Sequence, residues 1–404
     1  MKTKLTALII LTITAVSVMA YPHFESTMAT PYTGNQLSDP LPADLVMHQQ
    51  SKIEVVFVLD TTSSMSGMIE AAKEKIWSIA STMASAQNAP EIKMGLVAFR
   101  DRGDSYVTKI LDLSSDLDSM YAALMDYRAE GGGDGPESVN QAIYDAVHKI
   151  SWSQDKQTYR VVFLLGDAPP HMDYLDDVPY SQSLKIAQQK GIKFNAIQAG
   201  QSANTTHQWK QIASLGGGLY FQVEQGGSAI AISTPFDQQM AKLSSKLDET
   251  KLYFGNKEEQ KRQQSKLAAS SKLRENSSAQ AQARRVAFNT STSGKQNFLG
   301  EGELVDAVIR GEVSLEAIDT DELPESLQRL KPAAQMLVIQ EYDERRKKLK
   351  QDILKLSEKR TDYLKKEVAK LGGSKGSLDD NIYEAVRSQA AEKGLVYAEE
   401  SASY

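Results

Sequence analysis

One acidic side chain and two hydroxyls follow an apolar run at spacings of two residues. The run 55–59 ends at Asp60, and Thr62 and Ser64 come next. Such a run, largely β-branched and ending abruptly, indicates a strand that is buried on both faces. An apolar period beginning at Met68 predicts an amphipathic helix after the loop. Oxygen donors at the carboxyl end of a parallel strand suit Mg²⁺, so we interpret this loop as one arm of a metal site.

Later loops bring further acidic residues to comparable positions. Asp101 and Asp167 each follow a later apolar run, and Asp134 and Glu137 follow the glycine turn 131–133. Because the carboxyl ends of parallel strands meet at one edge of a sheet, we expect these side chains to converge near Asp60. Carboxylates brought so close together repel one another unless a cation neutralises them. The cluster is therefore best explained by a bound metal ion.

Strands and helices alternate between residues 53 and 247. After the first run, apolar segments predict strands at 92–99, 107–111, 160–166, 192–199 and 218–223. Amphipathic segments predict helices at 117–127, 138–150 and 181–189. This alternation predicts an α/β domain with right-handed βαβ units and a mostly parallel sheet that carries helices on both faces.

The first loop resembles the metal-ion-dependent adhesion site of von Willebrand factor A (VWA) domains, which have a Rossmann-like fold. The resemblance covers roughly residues 53–247 and is carried by the pattern Asp60-x-Thr62-x-Ser64 together with Asp167. The stretches 95–101, 134–137 and 167–171 are similar to loops of integrin β-subunit I-like domains. In that subfamily the glutamate matched by Glu137 replaces a threonine of other A domains.

The resemblance implies a set of oxygen ligands for a divalent cation, Mg²⁺ before Mn²⁺ or Ca²⁺. The implied ligands are Asp60, Thr62, Ser64, Glu137 and Asp167. It also implies a second cation site with ligands Asp101, Asp134, the carbonyl of Pro136 and Glu137. Gly132 stands where the subfamily has an asparagine ligand, which leaves the second site incomplete. Gly67 and Met68 replace the aspartates that would build a third, regulatory site.

Three functions are compatible with these residues. The first is a non-enzymatic, adhesion-type module in which the metal accepts an Asp or Glu carboxylate from a protein partner. The second is a cell-envelope scaffold or assembly factor whose carboxyl-terminal helices recognise the partner. The third is a metal-dependent phosphatase, which needs a second aspartate two residues after Asp60 as general acid, where Thr62 stands. No H-E-x-x-H motif occurs.

The chain divides by composition into five segments. They are a signal peptide (1–20), a proline-rich flexible linker (21–51), the VWA domain (52–249), a polar linker (250–297) and a helical region (298–404). The last segment is expected to hold a long helix at about 333–371 and a terminal helix at about 378–393. Near-heptad apolar spacing in the long helix predicts a coiled coil or hairpin partner, and self-association through it.

Composition narrows the compartment and the partners. The sequence has no cysteine, which argues against a disulfide framework or a lipoprotein anchor. The net charge is −6, and loss of Lys2 and Lys4 with the signal peptide leaves 44 basic against 52 acidic side chains, or −8. An acidic balance gives no support for nucleic-acid binding. With no later membrane span, we expect a bacterial periplasmic or secreted protein.

Two smaller features remain open to more than one interpretation. His171 either orients a metal ligand or simply packs within its loop. The tripeptide Arg102-Gly103-Asp104 matches an integrin-ligand motif, and a triplet of this kind arises readily by chance.

Overall fold

The described part of the chain forms a six-stranded sheet in the order β3-β2-β1-β4-β5-β6. A computed structural model describes residues 50–133, 135–227, 232–371, 373 and 376–398. The strands are β1 (Lys52–Asp60), β2 (Glu91–Phe99), β3 (Thr108–Ser114), β4 (Tyr159–Gly166), β5 (Ile192–Ala199) and β6 (Gly217–Val223). The predicted signal peptide and all but the end of the first linker lie outside the described residues.

The central strand β1 pairs in parallel with β2 and β4, and only β3 is antiparallel to its neighbour. Successive side chains of a strand point to opposite faces, so β1 contributes to two apolar layers. Val55, Phe57 and Leu59 pack into one layer, and Val56 and Val58 pack into the other. The prediction of a mostly parallel sheet is confirmed.

Helices cover both faces of the sheet, as predicted. In the first half they are α1 (Ser66–Ala84), α2 (Leu117–Leu124), α3 (Val139–His148), α4 (Tyr180–Gln189), α5 (Ala203–Leu215) and α6 (Asp237–Asp248). In the second half they are α7 (Lys257–Asn276), α8 (Ala279–Thr290), α9 (Lys295–Leu299), α10 (Leu304–Ile309), α11 (Glu325–Gln328), α12 (Pro332–Lys370) and α13 (Leu378–Ala390). Helices α3, α4 and α5 pack on one face, and α1, α2 and α13 on the other.

The last of these helices, α13, completes the layer beside α1. Its apolar residues belong to the same core as β1 and β4. The Gln389 amide accepts from the Tyr159 hydroxyl at 2.8 Å and donates to Oδ1 of Asn195 at 2.7 Å. Lys75 of α1 pairs with Asp379 at 2.5 Å, and both groups are nearly buried. The sequence assigns α13 to a separate helical region, whereas the structure places it on the sheet.

Residues 250–297, predicted as a polar linker, contain α7, α8 and the start of α9, so this prediction is wrong. Helix α7 begins with a capping box between Asn256 and Glu259. Helix α8 packs against α1, with the rings of Phe288 and Trp77 centred 5.9 Å apart. The segment can pack with few large apolar residues because small residues such as Ala281 are buried in the core that it shares with α1.

The long helix α12 packs along other helices of the same chain. Ile353 and Leu356 share an apolar cluster with residues of α6, α8 and α9. Within the basic run 345–350, Arg346 is 4% exposed and bonds Glu303 at 2.8 Å and the carbonyl of Thr250 at 2.6 Å. At Ile353 and Leu356, the side of α12 that the heptad spacing predicts to pair in a coiled coil is therefore covered by other helices of the same chain. Self-association stays a prediction.

A buried ion pair joins the sheet domain to the helices that follow it. Asp118 of α2 is fully buried and accepts two bonds from Arg285 of α8, at 2.6 and 2.5 Å. It also accepts from Ser270 of α7 at 2.9 Å. Burial opposes ionisation of Asp118, but the guanidinium of Arg285 outweighs it and holds the pKa of this carboxyl below its ordinary value.

Replacing Asp118 by alanine is expected to lower the free energy of unfolding by about 3–5 kcal/mol, because it leaves a buried guanidinium with less compensation. Urea unfolding of the full chain measures this loss. The contribution is present above the ordinary carboxyl pKa of 3.8 and is lost as the pH falls toward the lower folded value. Asp126→Ala is the control, since its pair with Lys272 is largely exposed, and its cost should stay below about 1 kcal/mol. Equal losses of unfolding free energy in the two variants would contradict the conclusion that the buried pair of Asp118 with Arg285 stabilises the fold.

Candidate metal site

The site begins where β1 delivers Asp60 to the carboxyl edge of the sheet. Oδ1 of Asp60 accepts from the backbone N–H of Thr62 at 2.9 Å and from its hydroxyl at 2.6 Å. The hydroxyls of Thr62 and Ser64 lie 3.4 Å apart. Oδ2 of Asp60 is buried and has no hydrogen-bond partner among the described residues. The first loop therefore presents three oxygen-bearing side chains within a few ångströms, as predicted from their spacing.

The glycine turn brings Glu137 against the first loop. A Cβ on Gly132 would lie 3.1 Å from Oε1 of Glu137 and 3.1 Å from Cβ of Thr62. Gly132 also has φ +77°, a conformation that residues with side chains rarely adopt. The turn is tied to the first loop because Ser63 donates to the carbonyl of Gly131 through both its N–H (3.2 Å) and its hydroxyl (2.7 Å).

The third arm comes from the end of β4. A Cβ on Gly166 would lie 3.1 Å from Cβ of Asp60 and 3.0 Å from the Trp209 ring, so a larger residue there would require these neighbours to shift. Asp167 follows directly, and its carbonyl accepts from the hydroxyl of Thr205 at 2.9 Å. The N–H of Glu137 donates to the carbonyl of Pro169 at 2.9 Å, which joins this loop to the glycine turn.

These loops enclose a cleft of about 420 Å³. Four of the five predicted ligands line it, namely Thr62, Ser64, Glu137 and Asp167. Asp60 lies behind them, 1% exposed. The cleft continues to Ser202, Asn204 and Thr205 at the start of α5. The sequence patterns predict neither α5 nor its part in the cleft, since only Thr205, Trp209, Ile212 and Ala213 mark its buried side.

The electrostatics of Asp60 suit a cation. Burial, with the negative charge of Asp167 adding to it, raises the pKa of Asp60 from 3.8 to about 7, although bonds from Thr62 and a weaker interaction with the backbone of Asp167 oppose the shift. A buried carboxylate oxygen without a partner is costly unless a positive charge compensates it. The surrounding donors are hydroxyl and carboxylate oxygens, which match Mg²⁺, Mn²⁺ or Ca²⁺. The described residues contain no group of three or more acidic, His or Cys side chains suited to a metal, so a cation here would rely on hydroxyls as well.

Of the ligands predicted for a second cation, Asp101, Pro136 and Glu137 lie within the described residues. Asp101 accepts from Ser138 at 2.8 Å and from Tyr174 at 2.8 Å, so protein donors engage both of its carboxylate oxygens. Asp134 lies outside the described residues. Asp101 thus serves to tie loops together, and a second cation stays a prediction.

His171 and the Arg102-Gly103-Asp104 triplet take part in the same loop contacts. His171 stacks on Tyr174 with ring centres 4.1 Å apart, and Nδ1 lies 2.8 Å from Asp173. The guanidinium carbon of Arg102 lies over the Tyr174 ring, 4.1 Å from its centre, and Arg102 forms salt bridges with Asp176 and Asp177. Because Asp104 also accepts from the N–H of Gly132 at 3.1 Å, both charges of the triplet are used within the chain.

Comparison with known proteins gives a family match over the sheet domain. Residues 54–234 match the family described as von Willebrand factor A domain. A stretch of 125 residues is 26% identical to an ariadne-like RING finger protein of Acanthamoeba polyphaga mimivirus, covering 31% of this chain and 12% of that protein. The chain therefore spans only a small part of that relative.

Solved structures with a similar fold are distant in sequence. The SpRpn10 VWA domain is 14% identical with a TM-score of 0.34, covering 43% of this chain and 89% of that one. Proximal thread matrix protein 1 from the mussel byssus, in a structure with a zinc-occupied MIDAS motif, is 16% identical with a TM-score of 0.34 and covers 43% and 42%. None of these likenesses transfers a ligand or a partner to this chain.

Proposed function

Residues 54–234 form a von Willebrand factor A domain, a type of domain that is generally a protein-interaction module, and we propose that this one binds its partner through a divalent cation. The cation is held by Asp60, Thr62, Ser64, Glu137 and Asp167. Mg²⁺ is the first candidate, with Mn²⁺ or Ca²⁺ as alternatives, because all these donors are oxygens. The bound ion supplies an open coordination position for an Asp or Glu carboxylate of a protein partner.

One observation carries this proposal. Oδ2 of Asp60 is buried and has no hydrogen-bond partner among the described residues, and the other four donors line the cleft in front of it. A positive charge in the cleft removes the cost of that buried oxygen and the repulsion between Asp60 and Asp167. Thr62 holds Oδ1 of Asp60 through two bonds, and Oδ2 makes no hydrogen bond of ordinary geometry among the described residues.

The alternatives have less support from the same geometry. Thr62 occupies the place where a phosphatase of the kind considered would carry its general acid, and its hydroxyl bonds Asp60. Recognition by the carboxyl-terminal helices alone is less favoured because most apolar residues of α13 and several of α12 are buried against this chain, although Leu337 and Leu354 of α12 are exposed. We also propose that the protein is exported, from the charged and apolar pattern of residues 1–20. Among the described residues, no helix has the length and apolar character to cross a bilayer.

Adding Mg²⁺ to the chelator-treated full chain is expected to raise its melting temperature. At about 100 times the dissociation constant, binding stabilises the folded state by roughly 2.7 kcal/mol. For a chain of this size that corresponds to a rise of at least a few degrees, measured by calorimetry against NaCl of equal ionic strength. The absence of both heat and thermal shift with Mg²⁺, Mn²⁺ and Ca²⁺ would refute the metal site.

Partner binding is tested by capture with the immobilised full chain from an extract of the producing cells. Proteins retained with Mg²⁺, released by chelator and absent with Asp60→Ala would support the proposal. Capture that is unchanged by chelator and by this substitution would show that the cation has no part in recognition.

A further inference from the structure

A glutamine after the last strand contacts two arms of the metal site. Nε2 of Gln225 donates to Oδ2 of Asp167 at 2.6 Å and to the carbonyl of Ser64 at 3.1 Å. Asp167 and Ser64 are 103 residues apart in the sequence, and the side chain of Gln225 bonds both. No spacing or composition signal in the sequence points to this residue.

The side chain of Gln225 is exposed, but its backbone is held from both sides. A Cβ on Gly67 would meet the α-carbon of Gly226 at 2.9 Å, so α1 and this segment touch through two glycines. The carbonyl of Gly227 accepts from the N–H of Leu378, the first residue of α13, at 3.3 Å. Gly227 has φ +74° and sits against Met68 of α1. The segment 225–227 therefore packs between α1 and α13, and this packing orients the amide of Gln225 toward the cleft.

We propose that Gln225 is a positioning residue of the metal site, an inference that rests on the proposed function. By donating to Oδ2 of Asp167, the amide fixes the rotation of that carboxylate and leaves its other oxygen free of this donor. The same amide holds the carbonyl of Ser64, and with it the loop that carries the Ser64 hydroxyl. A neutral amide is suited to this task because it orients a carboxylate without cancelling the charge that attracts a cation.

The test compares Gln225→Met with wild type in the full chain. Methionine keeps the length of the side chain and removes the N–H donor. Isothermal titration of Mg²⁺ into chelator-treated protein is expected to give a dissociation constant about 10–100-fold higher for the variant. The melting temperature of the metal-free variant is expected to match that of the wild type, since an exposed side chain contributes little to folding. A merely structural residue would show the opposite result, a changed melting temperature with an unchanged dissociation constant.

Gln222→Met is the matched control. Gln222 lies on β6, is exposed and donates its amide to the carbonyl of Gly200 at 2.7 Å, with no bond to Asp167 or Ser64. It should bind Mg²⁺ like the wild type. Wild-type affinity in Gln225→Met, or an equal loss in Gln222→Met, would overturn the role of Gln225 while leaving the metal site in place. A wild type that binds none of Mg²⁺, Mn²⁺ and Ca²⁺ would overturn the proposed function and this inference together.

Discussion

Asp60→Asn is expected to abolish stabilisation by Mg²⁺ and, at pH 8, to raise the melting temperature of the metal-free protein. The two effects have opposite sign because Asp60 is favourable only when a cation compensates it. In the metal-free protein its carboxylate is 1% exposed and one of its oxygens has no partner among the described residues. Asparagine keeps an acceptor for the bonds from Thr62 and removes the buried charge.

The expected size follows from the environment of Asp60. Burial raises its pKa from 3.8 to about 7, and at pH 8 this displacement costs the folded state on the order of 4 kcal/mol. The folded protein binds this proton more tightly than the unfolded chain, so metal-free stability falls as the pH rises from about 4 to 7. The side-chain N–H groups of the new asparagine are buried without hydrogen-bond acceptors, which lowers the stability of the folded state by about 1–3 kcal/mol. A net gain of roughly 1–3 kcal/mol remains.

Thermal unfolding at pH 8, with chelator and with Mg²⁺, measures both effects in the same samples. Asp145→Asn is the control, because Asp145 is fully buried but accepts from Thr108 at 2.6 Å and from Gln141 at 2.7 Å. That variant should lose stability in both conditions and keep its response to Mg²⁺. A metal-free Asp60→Asn protein that is clearly less stable than the wild type would show that Asp60 is compensated in some other way.

Deleting residues 377–404 is expected to leave a chain that does not fold to a well-packed state. Helix α13 and the residues after it bury one set of apolar side chains against the sheet and α1, namely Leu378, Ile382, Tyr383, Ala385, Val386, Ala390, Leu395 and Tyr397. Each large apolar side chain that is fully buried contributes roughly 1.5–3 kcal/mol. Their sum is comparable with the whole stability of a typical protein, about 5–15 kcal/mol. For the same reason a fragment ending at residue 249 is a poor substitute for the full chain.

Near-ultraviolet circular dichroism and dye binding to exposed apolar surface would report this loss of packing. A peptide of residues 377–398 added in trans should restore part of the signal. The graded version is Ile382→Ala, expected to cost about 2–5 kcal/mol, against Glu384→Ala on the exposed side of α13, expected within about 0.5 kcal/mol. A truncated chain with the melting temperature of the full chain would contradict the position of α13.

The fold of the first half and much of the candidate site could be predicted from local patterns. The apolar run before Asp60 and the alternation of strands and helices identify a mostly parallel sheet, since these periods reflect burial directly. Parallel strands end at one edge of the sheet, which predicts that Asp60, Glu137 and Asp167 lie close together. Glu137 and Asp167 line one cleft, and Asp60 is buried. Those inferences needed only strand direction and spacing along the chain.

Other features depended on contacts between segments that are distant in the sequence. The polar composition of residues 250–297 suggests a linker because their helices are stabilised by small residues and by the buried pair of Arg285 with Asp118, which no local period reveals. The hydrogen bonds from Ser138 and Tyr174 to Asp101 also join residues that are far apart in the chain, and its role as a ligand of a second cation stays a prediction.

The sequence by itself determined which segments form strands and which loops carry oxygen donors, because each depends on residues that are neighbours in one strand or loop. Only the tertiary structure decided that α13 completes the layer beside α1 and that Gln225 reaches Asp167 and Ser64. The position of α13 depends on which apolar helix face packs on the part of the sheet that the other helices leave uncovered. The contacts of Gln225 depend on how the segment 225–227 packs between α1 and α13. Neither packing choice leaves a periodic mark in the chain.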